Sequence, residues 1–463
     1  MDTVTIKFLG AASTVTGSKF LVTSEETSVL VDSGLFQGLK KDRAKNWEPF
    51  PVEPSSIDAV VLTHAHLDHC GYLPLLVRQG FRNKIYATGY TIKLATVILR
   101  DSARLQMEDA KFAAEKGFSK HPIPLPLYDE EDVERTLSHF SEIDFRSKVT
   151  VTKDASATFM PSGHILGSAF VLLEIAGKEL LFTSDLGRGN HPLLSPPDDP
   201  PSVALDAVIT ESTYGDRAHE TPLRSFAEEI NLAVKRGGSI LIPAFAVDRT
   251  EVILMALREL IGSGAIPNVP IYVDSPMALT ALDFYRDAVE KDAPELRRGV
   301  AKKWKTVDPF NPGNLFEMRT VEESKSLNEI SETSIIISAS GMGTGGRVVH
   351  HMANMLPDPK NTVILVGFQA AGSRGRSLEE GQPRVKIHGK WIPVHASIVK
   401  LESFSVHADS NELVDWLKRV KHPKKVFVVH GEPESEEALA ERLRQELNWN
   451  VIVPKSEEAF ELD

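Results

Sequence analysis

The stretch Thr63-His64-Ala65-His66-Leu67-Asp68-His69-Cys70-Gly71 constrains this chain more tightly than any other. It follows the apolar run 59–62, and a strand ending there delivers His64, His66, Asp68 and His69 into one loop at its carboxyl end. His64 and His66 lie two apart, so in an extended loop both imidazoles point the same way and grip one ion. Asp68 and His69 then serve a second ion, at the start of a helical pattern over 67–78. Imidazole and carboxylate are natural zinc ligands, and such a mixture leaves room for a water. A solvated histidine-rich turn is the plain alternative. Four ligand-type residues packed directly behind an apolar run count against it.

One loop cannot close two metal sites, so further ligands must come from elsewhere. His164 stands between two glycines in PSGHILGSAF (161–170), after a strand pattern over 157–160. Asp185 ends the apolar run in LFTSDLGRG (181–189), and His430 does the same in VFVVHGEPE (426–434). Each time a ligand-type residue ends a strand and a glycine follows, where backbone can approach an ion closely. Singly these are ordinary strand ends; with the first loop they form a constellation.

Strand patterns cover 4–9, 18–23, 28–32, 59–63, 149–151, 169–175 and 179–184, and 90–116 has helical spacing. The Pro-rich connector SPPDDPP (195–201) closes this part. From 207 strands and helices alternate, which signals a parallel sheet with covering helices. After 385 closely spaced strands return. Cys70 is the single cysteine, so neither a disulfide nor a Cys-rich zinc site can form within the chain. No signal peptide or membrane-length apolar run is visible, and the expected location is cytoplasmic. The net charge of −12, from 64 acidic and 52 basic residues, argues against a protein that coats nucleic acid.

The HAHLDH loop, His164, Asp185 and VDSG (31–34) together resemble the metallo-β-lactamase fold of dinuclear hydrolases. VITESTYGDR (208–217), FSVHADSNEL (404–413) and VFVVHGEPE resemble the three further motifs of its nucleic-acid-processing β-CASP branch. ASGMGTGGRVVHHM (339–352) and GFQAAGSRGRSL (367–378) look like that branch too. The likeness is to short bacterial and archaeal relatives of the nuclease subunit of the cleavage and polyadenylation machinery. It implies an α/β fold: a metallo-β-lactamase αββα sandwich carrying an inserted α/β β-CASP domain with a parallel sheet. The expected segments are 1–207 and 394–463 for the core and 208–393 for the insert, with substrate bound between core and cap.

The resemblance also implies roles. His64, His66 and His164 would hold one Zn2+, and Asp68, His69 and His430 the other. Asp185 would bridge both, Asp32 would orient the loop beneath them, and Mn2+ is an expected substitute. With water activated by the ion pair, Asp68, Asp185, Glu211 and His407 form the expected catalytic set, His407 serving as general acid steered by Glu211.

Ser340, Gly341, Thr344, Gly345 and Gly346 precede a helical pattern and could present backbone N–H groups to a phosphate. Arg249, Arg374 and Arg376 are expected contacts to a nucleic-acid backbone, with Arg347, Arg384 and Lys386 behind them. His121, His139, His191, His219, His388 and His422 are expected at the surface. The resulting expectation is a zinc-dependent endoribonuclease acting on single-stranded RNA, with no membrane partner and with homodimerisation left open. The alternatives are a 5′ exonuclease, a DNA nuclease, a small-molecule metallo-hydrolase, and a scaffold without metal.

Overall fold

The computed structural model describes residues 3–116, 124–219, 223–330 and 332–462. They form two compact units, Met1–Ala218 with His407–Asp463, and His219–Val406. Residues far apart in sequence therefore build the first unit, and a continuous segment builds the second. His121 lies outside the described residues.

Two seven-stranded sheets make the first unit. Across one, the order is Ala459–Leu462, Val4–Phe8, Phe20–Thr23, Ser28–Val31, Ala59–Val61, Lys84–Thr88 and Phe140–Ile143. Across the other it is Val451–Ile452, Lys425–Val428, Ala207–Thr210, Lys178–Phe182, Ala169–Ile175, Ala155–Pro161 and Lys148–Thr150. Val4–Phe8 alternates buried and half-buried side chains, the period-2 pattern of a strand with one face in a core. The two inner faces meet in one apolar layer, where Phe8 lies 5.0 Å from Phe427 and Phe20 lies 6.0 Å from Phe182. Each such buried ring contributes about 1.5–3 kcal/mol relative to exposure. Helices Ser410–Leu417 and Pro433–Leu447 cover the outer face of the second sheet through Leu413, Trp416, Leu439 and Leu443. The long helix Gly89–Lys116 packs on strands Lys84–Thr88 and Phe140–Ile143 of the first. This is the expected αββα sandwich.

Ser28–Val31, Ala59–Val61 and Lys84–Thr88 run parallel, as do Lys178–Phe182, Ala207–Thr210 and Lys425–Val428. Parallel strands present their carboxyl ends along one edge, which is where open α/β sheets carry their ligands.

The second unit contains a six-stranded, all-parallel sheet, in the order Leu315–Glu317, Ile271–Val273, Ile335–Ser338, Ile240–Pro243, Thr362–Leu365 and Ser397–Lys400. Its central strands are buried throughout, as parallel sheets require. A separate hairpin pairs Arg384–Ile387 with Lys390–Pro393.

Three differences from the sequence reading have physical reasons. The expected insert 208–393 begins too early and ends too early. Ala207–Thr210 is a buried strand inside the second sandwich sheet, whereas Ser397–Lys400 is an edge strand of the six-stranded sheet. Both are short parallel strands, and their sequences do not say which sheet they join. The helical pattern over 67–78 is two helices, Leu67–Cys70 and Leu73–Arg78. Between them Tyr72 N–H turns aside to donate to the Ser33 carbonyl at 2.8 Å. Phe140–Ile143 gave no alternating signal because none of its residues is fully buried.

Candidate metal centre

Every expected ligand stands in the first unit; Asp68 and His69 lie on helix Leu67–Cys70, and the others come just beyond the carboxyl end of a strand. His64 and His66 follow Ala59–Val61, His164 follows Ala155–Pro161, Asp185 follows Lys178–Phe182 and His430 follows Lys425–Val428. Three glycine-lined contacts hold the loops together. A Cβ on Gly34 would sit 1.6 Å from the Asp68 carbonyl oxygen, and one on Gly187 would sit 1.9 Å from that of Gly163. Gly187 also forms an antiparallel bridge with His407.

His66 Nδ1 lies 3.2 Å from His64 Nε2 and 3.1 Å from His164 Nε2. His69 Nε2 lies 3.1 Å from His430 Nε2. The Asp68 Oδ2 atom is 3.5 Å from His430 Nε2. Asp185 reaches both groups: Oδ2 is 3.4 Å from His64 Nε2 and 3.5 Å from His164 Nε2, while Oδ1 is 3.4 Å from His69 Nε2. Zn–N bonds of about 2.0–2.1 Å in a tetrahedron place ligand atoms about 3.3 Å apart. The observed separations match that edge, and imidazole nitrogens crowd to this distance naturally when they point at a shared cation. The donor sets are His64, His66, His164 and Asp185 on one side, and Asp68, His69 and His430 on the other.

The electrostatics fit the same assignment. Burial lowers the pKa of His64, His66 and His164, with His66 brought down to about 3 and helped there by the neighbouring His64. These imidazoles are neutral, as a ligand must be. Burial alone would also lower His69 and His430, but Asp185 outweighs it, together with Asp32 at His69 and Asp68 at His430. Both rise, His430 to about 10. For Asp68 and Asp185 burial works upward, and the surrounding histidines overcome it to hold both well below the ordinary carboxylate range. Among the described residues no Lys or Arg pairs with Asp32, Asp68, Asp185 or Glu211; the basic side chains paired with them are histidines. Buried negative charge needs a counter-charge, and the Asp185 Oδ1 atom is buried with no hydrogen bond. The residues present therefore fit two divalent cations.

Supporting contacts fix the candidate ligands. Asp32 is 1% exposed and accepts from Thr63 N–H, Thr63 Oγ1–H and His69 Nδ1, each at 2.8 Å. Ser184 Oγ donates to Thr63 Oγ1 at 2.7 Å and lies 3.3 Å from His64 Nδ1. Thr213 Oγ1 is 3.1 Å from His430 Nδ1. Sequence reasoning missed Thr63, Ser184 and Thr213, although each lies within two positions of a residue it singled out. A ligand histidine needs a partner for its second nitrogen, and that requirement was the available signal.

Glu211 and His407 meet beside this cluster. Glu211 Oε1 accepts from Leu186 N–H at 2.7 Å, and Oε2 is 3.3 Å from His407 Nδ1. His407 Nδ1 is also 3.9 Å from Asp185 Oδ2, and its ring centre is 4.4 Å from that of His164. Cys70 is buried, with its Sγ on the Ala65 carbonyl at 3.2 Å.

The expected phosphate contacts all belong to the second unit, and several have other work. Arg249 is 4% exposed, with its guanidinium on the Val366 carbonyl. Arg374 donates to the carbonyls of Lys386, Gly343 and Thr344, and Arg376 to Gln369 O and Glu380 Oε1. These three arginines hold carbonyls of their own chain, Arg249 from a buried position and Arg374 and Arg376 from half-buried ones. In the glycine loop, Thr344 N–H donates to Ser340 Oγ at 3.3 Å and Gly343 N–H to Ser340 O at 3.1 Å. Gly341 is required by close packing on Phe245, Gly345 has open space around it, and Gly346 takes a left-handed φ of 74° before helix Arg347–Met355. His191, expected at the surface, is 3% exposed and accepts from Leu193 and Leu194 N–H.

Three family models match this chain: the metallo-beta-lactamase superfamily over residues 15–220, the Beta-Casp domain over 250–378, and the Zn-dependent metallo-hydrolase RNA specificity domain over 391–454. The chain belongs to the β-CASP branch of the metallo-β-lactamase superfamily. Ribonuclease TTHA0252 of Thermus thermophilus is 37% identical over 94% of this chain and 94% of its own. An RNase J-like protein of Methanocaldococcus jannaschii is 32% identical over 97% of this chain and 98% of its own. Transcription termination factor FttA of the same organism is 30% identical over 99% of this chain and 71% of its own. The fold recurs in a crystal structure of a protein of unknown function from Enterococcus faecalis V583, with TM-score 0.54 and 14% identity over 99% of this chain and 100% of that one. Among the described residues no helix is long and apolar enough to cross a membrane.

Proposed function

We propose that this chain is a metal-dependent ribonuclease that cuts RNA internally at phosphodiester bonds, using two zinc ions. The observation that carries the reading is Asp185, whose two oxygens face two separate histidine-rich donor sets. The match to a zinc-dependent RNA specificity domain and the relative named as a ribonuclease support RNA as the substrate. His64, His66 and His164 would hold one ion, Asp68, His69 and His430 the other, with Asp185 shared. When bound, such a pair makes water nucleophilic near neutral pH and neutralises charge on the reacting phosphate.

The chain's own residues supply the rest. Asp32 holds the proton on His69 Nδ1, so Nε2 keeps its lone pair for the ion. Thr213 does the corresponding work at His430 Nδ1. Glu211, fixed through Leu186 N–H, orients His407 through Nδ1. His407 Nε2 then carries the proton that the departing oxygen needs.

The test is digestion of one RNA labelled in turn at its 5′ and 3′ ends, beside the same sequence as DNA. Internal fragments from both RNA labels support the reading. Release of only 5′ mononucleotides makes the chain an exonuclease, and preferential cutting of the DNA overturns RNA as substrate. Asp68→Ala combined with His69→Ala is the inactive control.

A further inference from the structure

The hairpin Arg384–Ile387/Lys390–Pro393 carries a feature that the metal centre does not use. Its register sets Lys386 opposite Trp391 and Arg384 opposite Pro393. Residues directly opposite share a face, and Val385 and Ile387 turn the other way into the core at 3% and 1% exposure. Arg384, Lys386 and Trp391 therefore stand together on the open face. The Trp391 ring is 57% exposed, and the Arg384 guanidinium lies 4.8 Å over it. At the turn, His388 and Gly389 are both left-handed, with φ of 46° and 80°. The His388 ring stacks on that of His350, with centres 4.6 Å apart and planes inclined by 30°. Arg374 ties the hairpin at Lys386 O to the glycine loop at Gly343 O and Thr344 O, which makes the strip a fixed platform.

Its charge is equally distinct. The chain has 64 acidic residues, yet none falls between Gly381 and Leu401. Arg384, Lys386 and Lys390 are exposed and form no ion pair among the described residues. Elsewhere, surface arginines such as Arg100, Arg286 and Arg444 are neutralised by Glu134, Asp308 and Glu437. Unneutralised cations beside exposed flat rings match a polyanion that also offers flat faces. Single-stranded nucleic acid has both properties, with phosphates for the cations and bases for the rings.

We infer that the open face of this hairpin is a docking strip for single-stranded RNA, with Arg384 and Lys386 on phosphates and Trp391 as a stacking platform for a base. The inference rests on the proposed ribonuclease reading and extends it with a second contact on the same substrate. Recognition here is independent of sequence, because stacking and phosphate contacts do not read base edges.

The test uses the full chain in the Asp68→Ala/His69→Ala background and a fluorescent 20-nucleotide oligouridylate, titrated at several salt concentrations. Trp391→Ala should weaken binding about tenfold, and Trp391→Phe should recover most of the loss. Arg384→Ala with Lys386→Ala should lower the log–log salt slope by about 1.4, because single strands give about 0.7 per phosphate neutralised. With Asp68 and His69 intact, adding all three alanine substitutions should raise KM for that RNA while kcat stays within about twofold. Unchanged binding and KM in chains that still cut RNA overturn the strip and leave the ribonuclease reading standing. A parent chain that neither binds nor cuts RNA overturns both. If the substitutions convert a dimer to a monomer by light scattering while RNA affinity holds, the face joins two copies of the chain and the inference fails.

Discussion

Asp32→Asn is the sharpest test of how this centre is held together. The side chain is 1% exposed and accepts three hydrogen bonds, all at 2.8 Å. Its φ is 58°, a left-handed conformation that asparagine tolerates as well as aspartate, so the substitution adds no backbone strain. The amide oxygen can still accept from Thr63 N–H. The amide nitrogen can donate to Thr63 Oγ1, whose hydroxyl then swings toward another acceptor. The bond that has no replacement is the one from His69 Nδ1, because an amide N–H would face an imidazole N–H. A hydrogen bond to a charged group is worth about 1.5–3 kcal/mol. Losing it frees the His69 ring to shift its proton to Nε2, the atom 3.1 Å from His430 and 3.4 Å from Asp185. The expected result is a fold that survives and a zinc affinity on the side of His69 lowered about 10–100-fold. Competition with a chromogenic chelator measures the affinity, and circular dichroism checks the fold. Two ions bound as tightly as in the parent chain would refute the argument that the Asp32–His69 bond selects the ligating nitrogen.

His407→Ala should depress turnover by about 10²–10⁴-fold while elemental analysis finds both metals in place; loss of metal would make His407 a ligand. Gly187→Ala forces a methyl group to within 1.9 Å of the Gly163 carbonyl and must displace the loop carrying His164. A stability loss of about 1–3 kcal/mol is expected, with weaker zinc binding, and a melting curve and zinc titration both unchanged would contradict it. Lys19 is 3% exposed, with Nζ over the Phe36 and Tyr72 rings and no carboxylate partner among the described residues. Burial, then the nearby Lys45, bring its amine down to about 7. Between about pH 7 and 10.5 the unfolded lysine holds a proton that the folded one has shed. Stability should therefore rise with pH across that window, and Lys19→Met should flatten the rise in denaturant titrations. An identical pH slope in both chains would show that the rings keep the amine charged.

The candidate ligands were legible before any coordinates because metal chemistry restricts residue types so strongly. HAHLDH, the glycine-flanked His164 and strand-end Asp185 and His430 announce themselves by composition and position, and all of them converge in one unit. Strand patterns with one buried face were legible for the same reason, since burial on one side imposes a period of two. The strips the sequence passed over are those where burial is weak, such as Phe140–Ile143, or where the residue type is ordinary, such as Thr63 and Thr213. A threonine reads alike whether it faces water or the second nitrogen of a ligand histidine.

By itself, then, the sequence determined the chemistry available, the class of fold and the need to bring both chain ends together. Tertiary structure alone decided which sheet claims Ala207–Thr210 and Ser397–Lys400, because short parallel strands are interchangeable until their neighbours are known. It also decided that Arg249, Arg374 and Arg376 serve their own chain's carbonyls, and that Arg384, Lys386 and Trp391 face outward together. The physical reason is common to all these cases. Charge and polarity are properties of a residue, but a partner is a property of its surroundings, and surroundings exist only once the chain has folded.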